Sequence, residues 1–264
     1  KPDADTCLGK LPGGFRSGKA TADNMDLVLH DWGRYGLLIK KARGSANMGQ
    51  GGSFARVILM ASIIAGSSYL YTVFADVSGP LAIAWKGLGV GLLAVYAALC
   101  ARNADGWLIA LVMACGALGD VLLEAVSMAA GASAFILGHV AAIALYLRNR
   151  RAQLTLSQKW LATLVLPLAV LIAIWSVPLE ARPMIGTYTA FVAAMAAAAW
   201  ISRFPRYRTG IGAMMFLVSD LLIFARMGPL QGAAWAGFGV WGLYFAGQLL
   251  IVLGVTRTLA EDEG

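Results

Sequence analysis

The sequence predicts an all-α fold, a polytopic membrane protein built as a bundle of eight transmembrane helices. Three observations carry that prediction. The 264 residues are 59% hydrophobic and 13% charged, against about 45–50% and about 25% in a soluble globular domain. From Phe54 the chain is a series of apolar runs, each about 18–22 residues and long enough to cross about 30 Å of hydrocarbon as a helix. The basic residues gather in the short segments between those runs, where a membrane protein carries its cytoplasmic loops.

In chain order, residues 1–52 stand apart. They are rich in Gly and Lys, with Pro2 and Pro12, and their one apolar patch is Leu37, Leu38 and Ile39, followed by Lys40 and Lys41. That patch is too short for the core of a signal peptide. The segment reads as a flexible N-terminal tail, or as sequence upstream of a natural start at Met48, with a short amphipathic helix near Asp26–Lys41. Residues 53–258 form the eight-helix transmembrane domain, with runs at about 54–75, 81–100, 106–127, 129–147, 160–177, 184–201, 210–227 and 235–255. Residues 259–264 are expected to be a short acidic C-terminal tail. The third and fourth runs are nearly continuous. Gly131 and its small neighbours are expected to make a tight reversal there, and Asp120 with Glu124 argues against one long helix. Gly87, Gly89, Gly91, Ala193–Ala199, Gly237, Gly239, Gly242 and Gly247 are expected to let helix backbones pack closely in lipid.

Charge sets the expected topology. With the N-terminus cytoplasmic, thirteen Lys and Arg residues between Lys40 and Arg257 fall in the inner-side segments beside the spans and two, Arg182 and Arg226, on the other side. Both termini are then cytoplasmic, which fits a plasma or bacterial inner membrane. Trp85, Trp107, Trp160, Trp175, Trp200 and Trp235 fall mostly near run ends, as interfacial tryptophans do. The net charge of +7 comes with no aromatic-interleaved basic stripe, so no nucleic-acid partner is expected. Cys7, Cys100 and Cys115 have no metal-ligand spacing and imply neither a disulfide frame nor a zinc site.

Against this apolar background the polar residues stand out. Asp120 lies in the third run and Asp220 in the seventh, both just past the middle towards the outer face. An ionised carboxylate at the centre of a bilayer costs about 2.5–3.5 kcal/mol by insertion scales, so a chain that keeps two has a use for them. His139 is near the middle of the fourth run, Lys86 a turn and a half inside the second, and Tyr188 in the sixth. Tyr244 and Gln248 share a face of the eighth. These groups agree in depth, between the midplane and the outer leaflet. We expect the two aspartates to face one another there. The plainer alternatives are a helix–helix hydrogen bond or an ion pair to Lys86 or Arg226, a packing role for His139, and a snorkelling Lys86. Tyr188, Tyr244 and Gln248 could join helices by hydrogen bonds, and Ser219 is too common a residue in membrane helices to weigh alone. Glu124 sits close to the membrane edge and is not expected to act.

Two carboxylates in a dry site have a natural chemistry. One keeps its proton while the other, beside a cation, is ionised, which supplies a general acid and a general base. No G-x-S-x-G elbow and no H-E-x-x-H is present. Acid–base attack by water therefore fits better than a covalent serine mechanism, with Asp120 and Asp220 as the catalytic pair.

These residues also resemble the YhhN-type membrane proteins, whose animal members are lysoplasmalogenases. The likeness rests on Gly119-Asp120 followed by Gly131, Phe135 and His139, on Lys86, and on Tyr188 with Met195. The seventh run adds Gly212, Phe216, Ser219 and Asp220, and the eighth Tyr244 with Gln248. It covers about residues 54–255. One departure is Ala142, where the family often has tyrosine; Tyr146 lies one turn on. The resemblance implies an eight-helix enzyme that hydrolyses the vinyl ether of lysoplasmalogens. The products are a fatty aldehyde and a glycerophospho-ethanolamine or -choline. The implied partners are a lysophospholipid substrate and the surrounding membrane lipids, and no metal or organic cofactor is required. Lys86 and His139 would bind the phosphate or tune the aspartates.

The alternative class is a proton-coupled transporter, since intramembrane Asp and His also serve as proton relays. The sequence shows no clear broken helices in corresponding halves, which argues against it. A purely structural scaffold leaves the common depth of the polar residues without a reason.

Overall fold

The computed structural model describes residues 52–262. The tail expected at 1–52, with its helix near Asp26–Lys41 and the start at Met48, lies outside the described residues apart from Gly52. Eight helices are each long and apolar enough to cross a membrane. They are α1 (Gly52–Phe74), α2 (Pro80–Cys100), α3 (Ala104–Ala125), α4 (Met128–Arg148), α5 (Leu156–Ser176), α6 (Arg182–Ile201), α7 (Ile211–Ala225) and α8 (Ala234–Glu261). The chain is an integral membrane protein. Large apolar side chains such as Ile64, Leu81, Leu171 and Trp175 are exposed on the outside of the bundle, which a lipid solvent accepts and water would not.

Local chemistry sets the helix starts. The side chain of Asn103 accepts from the Gly106 backbone N–H to cap α3, and Ser127 accepts from Ala130 to cap α4. Thr155 and Gln158 form a capping box on α5, satisfying backbone donors that the first turn leaves over. Pro80 opens α2 and Pro183 is the second residue of α6, positions where the missing N–H costs nothing.

Two sequence expectations need correction. The α3–α4 reversal is the two residues Val126 and Ser127, and Gly131 lies inside α4. Gly131 serves the crossing just after the turn: a Cβ there would stand 2.8 Å from the Leu123 backbone. Small residues allow that approach, and the serine cap makes the turn. The acidic tail at 259–264 is helix as far as Glu261. Leaving the hydrocarbon does not end a helix when the next residues, Thr256 to Leu259, suit one. Asp262 follows and pairs with Arg203 at 2.7 Å. The Arg203 guanidinium holds the Asp262 carboxyl below its usual range.

The basic residues at this end of the bundle also stitch loops together. Arg148 and Asn149 both donate to Asp105, at 3.0 and 2.7 Å, and Arg203 donates to the Asn149 side chain at 2.7 Å. Burial separates the helices into two groups. About half of α6, α7 and α8 is enclosed by protein, with α3 and α4 close behind. α1, α2 and α5 are mostly lipid-facing. Every intramembrane polar residue singled out from the sequence except Lys86 is on the inner group.

Candidate functional site

The two aspartates end up at one place. Asp120 on α3 is 2% exposed and Asp220 on α7 is 5% exposed. Both line a cavity of about 760 Å³, and each lies within electrostatic reach of the other. Each accepts a hydrogen bond from one buried tyrosine. The Tyr244 hydroxyl donates to Asp120 Oδ2 at 2.7 Å, and the Tyr188 hydroxyl donates to Asp220 Oδ2 at 2.8 Å. Each phenol has a single proton, so both are committed to holding a carboxyl group in place.

A second rank of polar groups stands behind the tyrosines. His139 Nε2 lies 3.5 Å from the Tyr188 hydroxyl. Because that hydroxyl spends its proton on Asp220, Nε2 is the donor in this contact. Gln248 Nε2 donates to the Tyr244 hydroxyl at 3.5 Å. Phe216 packs edge-on against His139 and Tyr244, and Phe135 against Tyr244. These aromatic contacts restrict the rotamers of the polar residues. Gly119 and Gly116 make room for this arrangement. A Cβ on the first would stand 2.8 Å from the Phe135 ring, and on the second 2.8 Å from Gln248 Nε2.

His139, Gln248 and Tyr146 line a separate cavity of about 10 Å³. The Tyr146 hydroxyl and Gln248 Oε1 have no hydrogen-bond partner within the described residues. A buried hydroxyl without a partner costs about 1–3 kcal/mol. Tyr146→Phe is therefore expected to be at least as stable as the parent in thermal unfolding in detergent. A loss of more than about 1 kcal/mol would instead mean that the hydroxyl is bonded to water in the small cavity.

Several expectations change in detail. His139 lies behind Tyr188 and does not line the large cavity, so it is not placed to touch a phosphate entering there. Ser219 lines that cavity, but its hydroxyl donates to the Val240 carbonyl at 2.8 Å and ties α7 to α8. Lys86 donates to Glu124 Oε1 at 2.8 Å; its side chain is 11% exposed and within electrostatic reach of Asp120. Glu124 is thus the direct partner of Lys86 and part of the cavity wall, although it was set aside as an edge residue. The spacing held a usable signal, since Asp120 and Glu124 are one turn apart on one face. Trp241 was missed. It lines the cavity, packs at a tilt against Tyr244 and donates to the Gly66 carbonyl at 2.7 Å. Its position three residues before Tyr244 already put it on the same face. Among the described residues no three His, Cys, Asp or Glu side chains converge as metal ligands.

The cavity is amphipathic. Its inner end holds two carboxyl and two phenol groups. Its walls include Leu123, Phe135, Ile223 and Phe224, and towards the ends of α1, α3 and α7 it is lined by Asp76, Glu124 and Arg226.

The sequence model of the YhhN family matches residues 81–255, and the chain belongs to the YhhN family. No curated protein and no solved structure matches it.

Proposed function

We propose that this member of the YhhN family is a membrane hydrolase that cleaves the vinyl ether bond of lysoplasmalogens. One observation carries the reading: two buried aspartates, each held by its own tyrosine, share the inner end of an apolar-walled cavity. Size supports it as well. A methylene takes up roughly the volume of a water molecule, about 30 Å³, so one sixteen-carbon chain fills about 500 Å³ and two fill about 1,000 Å³. A cavity of about 760 Å³ has room for one such chain with its glycerol.

In the proposed reaction one aspartic acid gives its proton to the vinyl carbon distal to oxygen. A C–H bond forms and the adjoining carbon becomes an oxocarbenium ion. The other aspartate, ionised, stabilises that cation and takes a proton from the water that adds to it. The hemiacetal then collapses. Its hydroxyl proton passes to the glycerol oxygen as the carbon–oxygen bond breaks, leaving a fatty aldehyde and a glycerophospho-alcohol. Tyr188 and Tyr244 orient the two carboxyl groups. The thirteen-to-two distribution of basic residues supports cytoplasmic termini in a plasma or bacterial inner membrane, which puts the cavity towards the outer leaflet.

The test is aldehyde release from a defined lysoplasmalogen by the purified protein, with the saturated ether analogue as control. Cleavage of the vinyl ether alone is expected, and no release from a folded, monodisperse sample would overturn the assignment. One observation favours a second reading. Asp220, Tyr188 and His139 form a polar line leading to the second cavity, as a proton-coupled carrier would need. Substrate flux across liposomes without cleavage would select that reading.

A further inference from the structure

We infer that the cavity carries a subsite for a zwitterionic phospho-ammonium headgroup, with Arg226 receiving the phosphate and Asp76 facing the ammonium. The inference rests on the proposed substrate class and assigns the headgroup contacts within it.

Three cationic or anionic positions compete for this role, and the structure sorts them. Lys86 is the obvious cation, but its ammonium is already bonded to Glu124 at 2.8 Å and its side chain is largely enclosed. Drawing it to a ligand would break that pair. Arg226 lines the same cavity, is exposed, and has no ion-pair or side-chain hydrogen-bond partner among the described residues. A planar guanidinium with five donors is suited to phosphate oxygens. Asp76 lines the cavity with its carboxylate equally unpartnered, in the turn after α1, where its backbone is left-handed at φ 49°. The cavity wall thus offers one uncommitted cation and one uncommitted anion.

Spacing agrees with the proposed chemistry. Arg226 follows Asp220 by six residues at the end of α7, about 9 Å along the axis at 1.5 Å per residue. Helical side chains lean back towards the N-terminus, so the guanidinium covers ground between its own Cα and the aspartate. In a lysoplasmalogen the phosphate is separated from the reacting ether by three glycerol carbons and an oxygen. With the vinyl ether beside Asp220, the phosphate falls towards Arg226. The Phe74 and Phe238 rings line the same region, and aromatic faces attract an ammonium.

The test is binding by the full chain in detergent, so that it does not depend on turnover. Three non-cleavable saturated ether probes are titrated: an alkyl lysophosphocholine, an alkyl lysophosphate without the ammonium, and a phosphate-free alkyl glycerol. Arg226→Gln is expected to weaken both phosphate-bearing probes about tenfold and to leave the alkyl glycerol unchanged, with Arg226→Lys retaining part of the affinity. Asp76→Asn is expected to weaken the phosphocholine probe and spare the lysophosphate. Equal effects of Arg226→Gln on all three probes, or on none, would overturn the assignment, as would failure of the parent protein to bind any of them. If the parent binds in this pattern yet releases no aldehyde from a vinyl ether, the proposed reaction falls and the headgroup subsite stands.

Discussion

Asp120→Asn and Asp220→Asn are each expected to lower vinyl ether hydrolysis by about 10³-fold, within the range that general acid–base catalysis contributes. Asparagine keeps the shape of aspartate. Its carbonyl oxygen can still accept the hydrogen bond that Tyr244 gives Asp120 or that Tyr188 gives Asp220, so the packing around the site has no reason to change. What it cannot do is give or take a proton. The expected signature is lost aldehyde release with an unchanged unfolding temperature for the aspartate that is protonated, and an unchanged or raised one for the ionised aspartate, because an amide is cheaper than a carboxylate anion away from water.

Combining the two changes sharpens the result. If the aspartates act as acid and base in one reaction, removing the second costs little once the first is gone. Residues that work as a unit are far from additive. The double variant should therefore match the weaker single variant. Multiplied losses would mean that the two groups act in separate steps. Near-normal turnover by both single variants would remove the aspartates from the mechanism altogether.

Much of this site could be read from the sequence for a physical reason. A run of twenty apolar residues has one way to satisfy its backbone in lipid, and a carboxyl group inside it must be accounted for. Helix number, the common depth of Asp120, Asp220, His139 and Tyr188, and the shared face of Tyr244 and Gln248 all follow from that constraint. Which group touches which does not follow, because it depends on how helices rotate about their axes. Lys86 was open to pairing with either acid, and the rotation of α2 gave it Glu124. Tyr188 and Tyr244 divided the two aspartates between them, a partition that spacing alone leaves open. The N-cap at Ser127 was legible in principle, since a serine before an apolar run is a helix start. The nearby glycine drew the turn to the wrong place.

The second large effect is expected where α7 and α8 cross. Gly212 and Gly247 face each other there so closely that each carries the other's clash. A Cβ on Gly212 would lie 2.6 Å from the Gly247 carbonyl oxygen, and a Cβ on Gly247 would lie 2.7 Å from the Gly212 carbonyl oxygen. The obstacles are backbone atoms, which cannot swing aside as a side chain would. Gly212→Ala and Gly247→Ala should each force the helices apart and lower stability by about 1–3 kcal/mol, the usual cost of overpacking. The double variant should lose less than the sum, because one separation relieves both contacts. Activity should fall further than stability does. α7 carries Asp220, α8 carries Tyr244, and Tyr244 holds Asp120 at 2.7 Å, so a wider crossing loosens the grip on one aspartate while moving the other. Gly242 supplies the control on the same helix. Nothing lies within 4 Å of a Cβ placed there, and Gly242→Ala should be neutral or gain up to about 1 kcal/mol from helix propensity. Thermal unfolding and aldehyde release measured on these four variants would decide the matter. If Gly242→Ala proved as harmful as Gly247→Ala, generic sensitivity of α8 would explain the losses and the close crossing would not.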